Sequence, residues 1–525
     1  MNRKLNHILW GGDKPGRATV LGIQHVFAMF GSTVLVPALT GLDPAVTLLC
    51  MGIGTLIFHL ITRGIVPAFM GSSFSFIASI CAVAGYCSDN SIEGFASYVG
   101  WGIIASGVLY LLLAGLVKLF GAKRITSFFP PVVTGCMIII IGMMLAPTAM
   151  SNITTVHGDF AQDAVLVAEL SENGTPLEEN GCYRMQQLDK QGNVTVSGWV
   201  AVSDLKLKET DRNDADYANP GNEYIVENVK GTQMHSSADA DSATVSGTQT
   251  WKNWLVAAVT ILTIMAVMFF TRGFIKLVPI LIGIVVGYIL SLALGMVDTA
   301  KVAQAGWFTL PKVSLPAFEH WDAVSFAITM IAPISIVTFV EHVGDITANG
   351  AVTGHNYIEE PGLHRTLLGC GLASVFSGAM GGPAATTYSE NTGVLAATQN
   401  YNPATLRIAA VFAIVLSLFG KVSGVLTSIP AAVMGGVSVI LFGMIASVGL
   451  RMLVENHVDF TKSYNLVIAA VMLVVGLGLS SGIEIGDLKI SGTAIAAVLG
   501  VILAKALPSE EKVEASAKKG KKRKN

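Results

Sequence analysis

Charge is what this chain has little of. Only 13% of its 525 residues are Asp, Glu, Lys or Arg, where a soluble domain carries about 25%. With 52% hydrophobic residues and a mean hydropathy of +0.61, a water-soluble fold is excluded, because too little polar surface would remain to cover it. Cysteine is scarce too, with six in all. Cys50, Cys81, Cys136 and Cys370 lie in apolar segments at scattered spacings and Cys182 stands alone in a polar one, so neither a disulfide framework nor a zinc pattern is written here. A phosphate loop, a nucleophile beside a base and metal-ligand spacing are all missing, which argues against an enzyme and leads to no expected cofactor or metal. The net charge of -2 says nothing about partners, though its distribution does, and no nucleic-acid partner is expected. Sustained period-two alternation is lacking as well, which excludes a transmembrane β-barrel.

What the chain does have is a succession of apolar runs of about 18 to 24 residues, the length that crosses a hydrocarbon core of about 30 Å. One set of seven is centred near residues 28, 53, 77, 108, 138, 261 and 285, and a second near 333, 374, 391, 413, 439, 472 and 498. The expectation is an all-α polytopic membrane protein with 14 transmembrane segments, since lipid cannot satisfy open backbone groups. Short basic loops at Arg63, at Lys118, Lys123 and Arg124, and at Arg272 and Lys276 place these loops and both termini in the cytoplasm. The basic start "MNRKLNHILWGGDKPGR" lacks a small-residue cleavage site and is read as no removable signal peptide. The basic ending "AKKGKKRKN" reads as a solvated tail or as a contact with anionic lipid.

The two sets look related. "TSFFPPVVTGCMIIIIGM" (Thr126 to Met143) lies ungapped on "TSIPAAVMGGVSVILFGM" (Thr427 to Met444), pairing Thr, Ser, Gly and Met with themselves. Chance likeness of two Gly-rich helices is the alternative. A true repeat of seven spans, an odd number, makes the second copy inverted, a hallmark of secondary transporters. The resulting division is 1–17, a cytoplasmic segment; 18–150, spans 1–5; 151–250, an insertion; 251–300, spans 6–7; 301–507, spans 8–14; and 508–525, a cytoplasmic tail. The insertion holds sixteen acids against six bases and falls outside the cytoplasm. Its β-type run "VTVSGWVAV" suggests a small β-module, with a mobile loop as the alternative. Asn152, Asn173 and Asn193 fit the glycosylation sequon, which matters only in a secretory host.

Chemistry concentrates in three places. Span 3 reads "GIVPAFMGSSFSFIASI" and span 10 reads "FSGAMGGPAATTYSENTGVLAAT". Each is interrupted by Gly and Pro, whose freed backbone groups are tolerable at membrane depth only in a polar cavity. Each could continue as a half-helix presenting free N–H groups to a ligand, as corresponding segments of transporter repeats do. Close helix packing is the plain alternative. The third place is "SIVTFVEHVGDITANG", Ser335 to Gly350, where Glu341 and Asp345 fall four residues apart on one helical face with His342 beside them. Charges there are expensive in lipid; a wet membrane boundary is the alternative. Glu390 places a third carboxylate in the interrupted span 10. A cluster of three acids can hold a proton or a cation and accept hydrogen bonds from a ligand's N–H groups.

These residues carry a resemblance. "QHVFAMFGSTVLVP", "GSSFSFI", "EHVG", "EPGLHR" and "TTYSENTGV" resemble the motifs of the nucleobase–ascorbate transporter family, most of all its bacterial uracil permeases, across nearly the whole chain except the insertion and tails. The resemblance implies two inverted seven-span repeats, short β-strands in spans 3 and 10, and a core domain of spans 1–4 and 8–11. It also implies a gate domain of spans 5–7 and 12–14, a homodimer in the cell membrane, and cation-coupled uptake, with protons the usual ion in bacteria. Position by position, it implies that Glu341 and Glu390 bind the base, that Phe74 and Ser389 offer backbone N–H groups, and that Tyr388 lines the same place. Gln24 and His25 support the site, Asp345 with Glu341 and His25 handles the proton, and His342 and Asn391 join this supporting set.

Two features depart from the uracil pattern. Asp345 stands where those permeases carry His, and "GDITA" resembles the xanthine and urate branch, whose span 10 has Gln where this chain has Glu390. Thr398 is followed by Gln399 rather than Arg, Lys or Gly. The expectation is a proton-coupled importer of uracil, with a purine permease or sodium coupling as alternatives. An anion transporter of the sulfate-permease type is a remoter rival, because its site would favour positive charge without a carboxylate.

Overall fold

The computed structural model describes residues 15–154 (91 and 127 excepted), strand segments between 165 and 226, and residues 250–507 apart from 274, 298, 480–482 and 486–487. The basic tails, Asn173 and Asn193 lie outside the described residues. Helix α1 (Pro15–Thr40) has 26 residues, which at about 1.5 Å each reach roughly 39 Å. Helix α2 (Pro44–Ile61) starts sharply. The Asp43 carboxylate accepts from the N–H groups of Ala45 (2.7 Å) and Val46 (3.2 Å), and Pro44 sits where an N–H would be orphaned anyway. The chain then runs extended into β1 (Met70–Ser72), one 3-10 turn (Phe74–Phe76) and α3 (Ile77–Asp89), followed by α4 (Phe95–Phe120), α5 (Ala122–Thr126), α6 (Pro131–Met144) and α7 (Ala146–Thr154).

The insertion contributes β2 (Val165–Ala168), β3 (Glu178–Glu179), β4 (Cys182–Leu188), β5 (Val194–Ala201), β6 (Leu207–Glu209) and β7 (Tyr224–Val226). These form one antiparallel sheet in which β5 runs along one edge of β4 while β2 and β3 share the other.

Past it come α8 (Thr250–Phe270), α9 (Pro279–Ala293), the short α10 (Thr299–Gln304), α11 (Trp321–Ile331) and α12 (Ile334–Thr353). Ala332 and Pro333 separate the last two, and the hydroxyl of Ser335 lies 2.7 Å from the Ala332 carbonyl and 2.8 Å from Ser106 Oγ of α4. Then follow α13 (Leu363–Ala379), β8 (Ala385–Thr387), α14 (Ser389–Thr398), α15 (Pro403–Ser417), α16 (Gly420–Thr427), α17 (Ala431–Glu455) and α18 (Ser463–Gly478). A hairpin, β9 (Ile483–Ile485) with β10 (Leu488–Ile490), leads into α19 (Gly492–Ala506). Nothing in the apolar pattern announced that hairpin.

Seven helical stretches of the described residues, two of them the consecutive pairs α6–α7 and α11–α12, are long and apolar enough to cross a membrane, with five shorter apolar helices beside them. The segments matched above as a repeat, now α6 and α17, pack on each other antiparallel: Gly135 meets Gly449 and Leu453, while Gly142 meets Phe442 and Ala446. A methyl group on Gly449 would stand 2.7 Å from the Gly135 carbonyl oxygen, so only glycine permits this backbone approach. One apolar cluster joins α1, α2, α4, α12, α13 and α15 through Met29, Phe58, Tyr110, Phe339, Leu367 and Leu406. Another joins α6, α18 and α19 through Cys136, Met472 and Ala497.

Candidate functional site

Two strands more than 300 residues apart in sequence define the centre. β1 pairs antiparallel with β8, Met70 opposite Thr387, Gly71 opposite Thr386 and Ser72 opposite Ala385. The ladder is extended by Ser73 N–H to the Ala384 carbonyl (2.9 Å) and Tyr388 N–H to the Phe69 carbonyl (3.1 Å). Gly71 is required, because any Cβ there would enter the ring of Tyr388. Backbone that the ladder leaves open is satisfied by side chains of the surrounding helices. Thr55 Oγ1 accepts from Met70 N–H (3.0 Å), Asn349 Nδ2 donates to the Pro67 carbonyl (2.8 Å), and Ser374 Oγ accepts from Ala385 N–H (3.1 Å). Each strand then hands over to a helical turn, at Phe74 and at Ser389, whose first N–H groups have no intrahelical acceptor.

Helix α12 packs on β8, on the 3-10 turn and on α14. It presents Glu341 and Asp345 one turn apart, and a different hydroxyl holds each. Ser75 Oγ donates to Glu341 Oε2 at 3.2 Å, and Thr387 Oγ1 donates to Asp345 Oδ2 at 2.8 Å. Glu390, in the first turn of α14, and Asp345 both lie within electrostatic reach of Glu341. All three carboxylates are half-buried. The rings of Phe74 and Tyr388 are within 12° of parallel with centroids 6.2 Å apart, and the Tyr388 hydroxyl donates to the Ser72 carbonyl at 2.8 Å.

Behind α14, Asn391 Nδ2 faces His25 Nδ1 (3.1 Å) and the His25 carbonyl (3.2 Å), tying α14 to α1. Gln24 Oε1, Asn391 Oδ1, Ser73 Oγ and Thr386 Oγ1 are buried without a partner, and orphaned buried oxygens call for a ligand or water. His342 does not face the carboxylates' open side; it is fully buried toward α13, 3.0 Å from Thr366 Oγ1. A cleft of about 480 Å³, counted to its open mouth, starts at Ser75 and continues past Ser79, Met144, Met330, Ser491 and Thr493. Among the described residues no three His, Cys, Asp or Glu side chains are placed to hold a metal ion.

The structure therefore gathers Glu341, Asp345, Glu390, Phe74 and Tyr388, and sets His25 and Asn391 as a brace, with the Gln24 Oε1 buried and without a partner. Sequence reasoning missed Ser75 and Thr387. Their only signal was a concentration of hydroxyls in the two interrupted segments, which does not say which hydroxyl meets which carboxylate. Chemically, carboxylates accept N–H groups and exposed helix-start amides accept nothing but donate to C=O. Together they suit a planar, uncharged ring bearing both, whose desolvation is cheaper than an ion's.

Residues 16–175 and 228–485 match the sequence model of a permease family, that of the xanthine and uracil permeases. The chain is similar to the uracil permease of Bacillus caldolyticus, 37% identical over 500 residues and covering 94% of both chains. It is also similar to the uracil permease of Bacillus subtilis (strain 168), 35% identical over 496 residues, 94% of this chain and 93% of the other. Among solved structures, the transmembrane domain of a cyanobacterial bicarbonate transporter, BicA, superposes with a TM-score of 0.54 at 15% identity, over 92% of this chain and 96% of that one. That likeness is one of fold, a helical multi-pass membrane architecture.

Proposed function

This chain belongs to the nucleobase–ascorbate transporter family, and on that premise we propose that it imports a nucleobase, uracil, together with protons. Glu341 and Glu390 accept the ring N–H groups, while the backbone amides at Phe74 and Ser389 donate to its carbonyl oxygens and Tyr388 closes one side. The observation that carries this reading is the β1–β8 ladder, which brings two interrupted segments to one place beside the half-buried Glu341. Asp345, with Glu341 and His25, handles the proton. Its position beside Glu341 makes their titration a shared property.

In this reading the fourteen segments cross the cell membrane as two inverted sets with both termini in the cytoplasm. A core of spans 1–4 and 8–11 moves against a gate of spans 5–7 and 12–14, in a homodimer. The cleft from Ser75 to Thr493 is the route by which the base reaches the core. A second reading, a xanthine or urate permease or sodium coupling, is favoured by Asp345 and its hydroxyl clamp, where the uracil branch carries His. Three carboxylates make a poor anion site, which disfavours the bicarbonate-type cargo of the structural neighbour.

The test is accumulation of labelled uracil by purified protein in liposomes with an alkaline lumen. Uptake above equilibrium that a protonophore abolishes is the expected result. Accumulation driven by a sodium gradient alone, or of xanthine but not uracil, overturns the proposal.

A further inference from the structure

The hydrogen-bond partners of Asp345 lead away from the base. Thr387 Oγ1, which donates to Asp345, lies 3.5 Å from His342 Nδ1, and Cys370 Sγ lies 3.4 Å from the same nitrogen. On its other side Cys370 Sγ is 3.8 Å from Met70 Sδ. Met70 is the residue directly across the ladder from Thr387. The circuit thus runs from α12 to β8, back to α12, to α13 and to β1, closing on a single rung. Its inner members, Thr387, His342, Cys370 and Met70, are all 5% exposed or less.

Counting hydrogens fixes the direction of each bond. The Thr366 hydroxyl donates to the Leu363 carbonyl at 3.0 Å, so it can only accept from His342 Nε2–H, which leaves Nδ1 as an acceptor. While Asp345 is ionised, Thr387 donates to it and Nδ1 takes the Cys370 S–H. When Asp345 has gained a proton, its O–H turns to Thr387 Oγ1, the Thr387 hydrogen turns to Nδ1, and the Cys370 S–H turns to Met70 Sδ. No proton passes between these groups, the only one added is the one Asp345 gains from outside, and every donor finds an acceptor in both arrangements. Unpaired buried donors are expensive, so Nδ1 is open to the Cys370 S–H while Asp345 is ionised and is taken by Thr387 once Asp345 is protonated, and that difference is a switch.

We propose that Thr387, His342 and Cys370 form a buried hydroxyl–imidazole–thiol relay that carries the protonation state of Asp345 to the β1–β8 ladder, and so to the backbone that binds the base. The relay rests on Asp345 as the proton-coupling group. Among the described residues, the titratable groups within electrostatic reach of Asp345 are Glu341 on its own helix, Cys370 from α13 and Tyr110 from α4, while Glu390 of α14 faces Glu341 and His342 meets Asp345 through Thr387. Thr387, His342 and Cys370 are positioning residues, acting through Asp345 and the ladder.

The experiment is the pH dependence of labelled uracil uptake by full-length protein in liposomes. The Thr387 hydroxyl favours the ionised carboxylate. Thr387→Val should therefore move the midpoint of uptake upward by about one pH unit, tenfold in proton concentration, the effect of losing one hydrogen bond to a charged group. Thr387→Ser should restore the wild-type midpoint. Cys370→Ser, a better donor to Nδ1 in the ionised arrangement, should move it downward, a sign that loosened packing would not produce. Equal shifts in Thr387→Val and Thr387→Ser, or an unmoved midpoint in Thr387→Val or Cys370→Ser, overturn the relay while leaving the coupling reading intact. A wild-type pH dependence in Asp345→Asn overturns the coupling reading itself and the relay with it.

Discussion

The first-half elements at the site and their second-half counterparts share a backbone plan but not a chemistry. β1 with its following turn and β8 with α14 are both short strands that give way to a helix start. Around them, the first half supplies no carboxylate: Gln24 and His25 on α1, Ser72 at the end of β1, and Phe74 and Ser75 after it. Every carboxylate, Glu341, Asp345 and Glu390, comes from the second half. Concentrating the acids on one side leaves the other free to supply hydroxyls and amides. Ser75 shows why that matters: it reaches across to hold Glu341, where a fourth carboxylate would only repel. Geometry can be duplicated between halves while charge cannot, since like charges in a shared pocket oppose one another.

The sharpest way to break this contrast is to remove a second-half acid. Glu390→Ala should lower uracil uptake by about 100-fold while the protein remains in the membrane, because a substrate hydrogen bond to a charged group, worth up to about 3 kcal/mol, is lost. Radiolabel uptake beside a surface or membrane blot checks it, and intact uptake would contradict the assignment. The next largest effect belongs to the shared backbone. Gly71→Ala forces a methyl group into the ring of the buried Tyr388. It should destabilise by about 1–3 kcal/mol, read as a fall of several degrees in the melting temperature in detergent.

Legibility of the chain follows from range. The pairing of Glu341 with Asp345 was readable because helical spacing is local, and the interrupted segments were readable because Gly and Pro act on their own backbone. Which hydroxyl holds which acid was not. Ser75 and Glu341 are 266 residues apart, and Thr387 and Asp345 are 42 apart. No periodicity links positions that meet only after the halves have packed. His342, adjacent to Glu341 in sequence, points to Thr366 and Cys370 instead, as neighbours on a helix about 100° apart must diverge. The β9–β10 hairpin escaped notice because "IEIGDLKI" is too short and too mixed to stand out between two apolar helices.

Smaller effects sharpen the contrast. Ser75→Ala removes one hydroxyl from Glu341 and should reduce kcat/KM for uracil by about 5- to 15-fold, equivalent to roughly 1–1.6 kcal/mol. An unchanged value would mean that the first half does not tune the acid. Thr386, opposite Gly71 on the ladder, has a buried hydroxyl oxygen without a partner. Thr386→Val should therefore alter thermal stability by no more than about 0.5 kcal/mol, against the large loss at Gly71 across the same rung.

The ladder also sets a timetable for manufacture. Ser72 and Tyr388, which touch across it, are separated by 316 residues. A ribosome adding about 5–20 residues per second needs roughly 15–60 s to travel that distance. Throughout that interval the nascent β1 is made but its mate is not, and bare peptide groups cannot be left against lipid tails. The insertion apparatus must shelter this stretch, or let it wait in water, until β8 emerges.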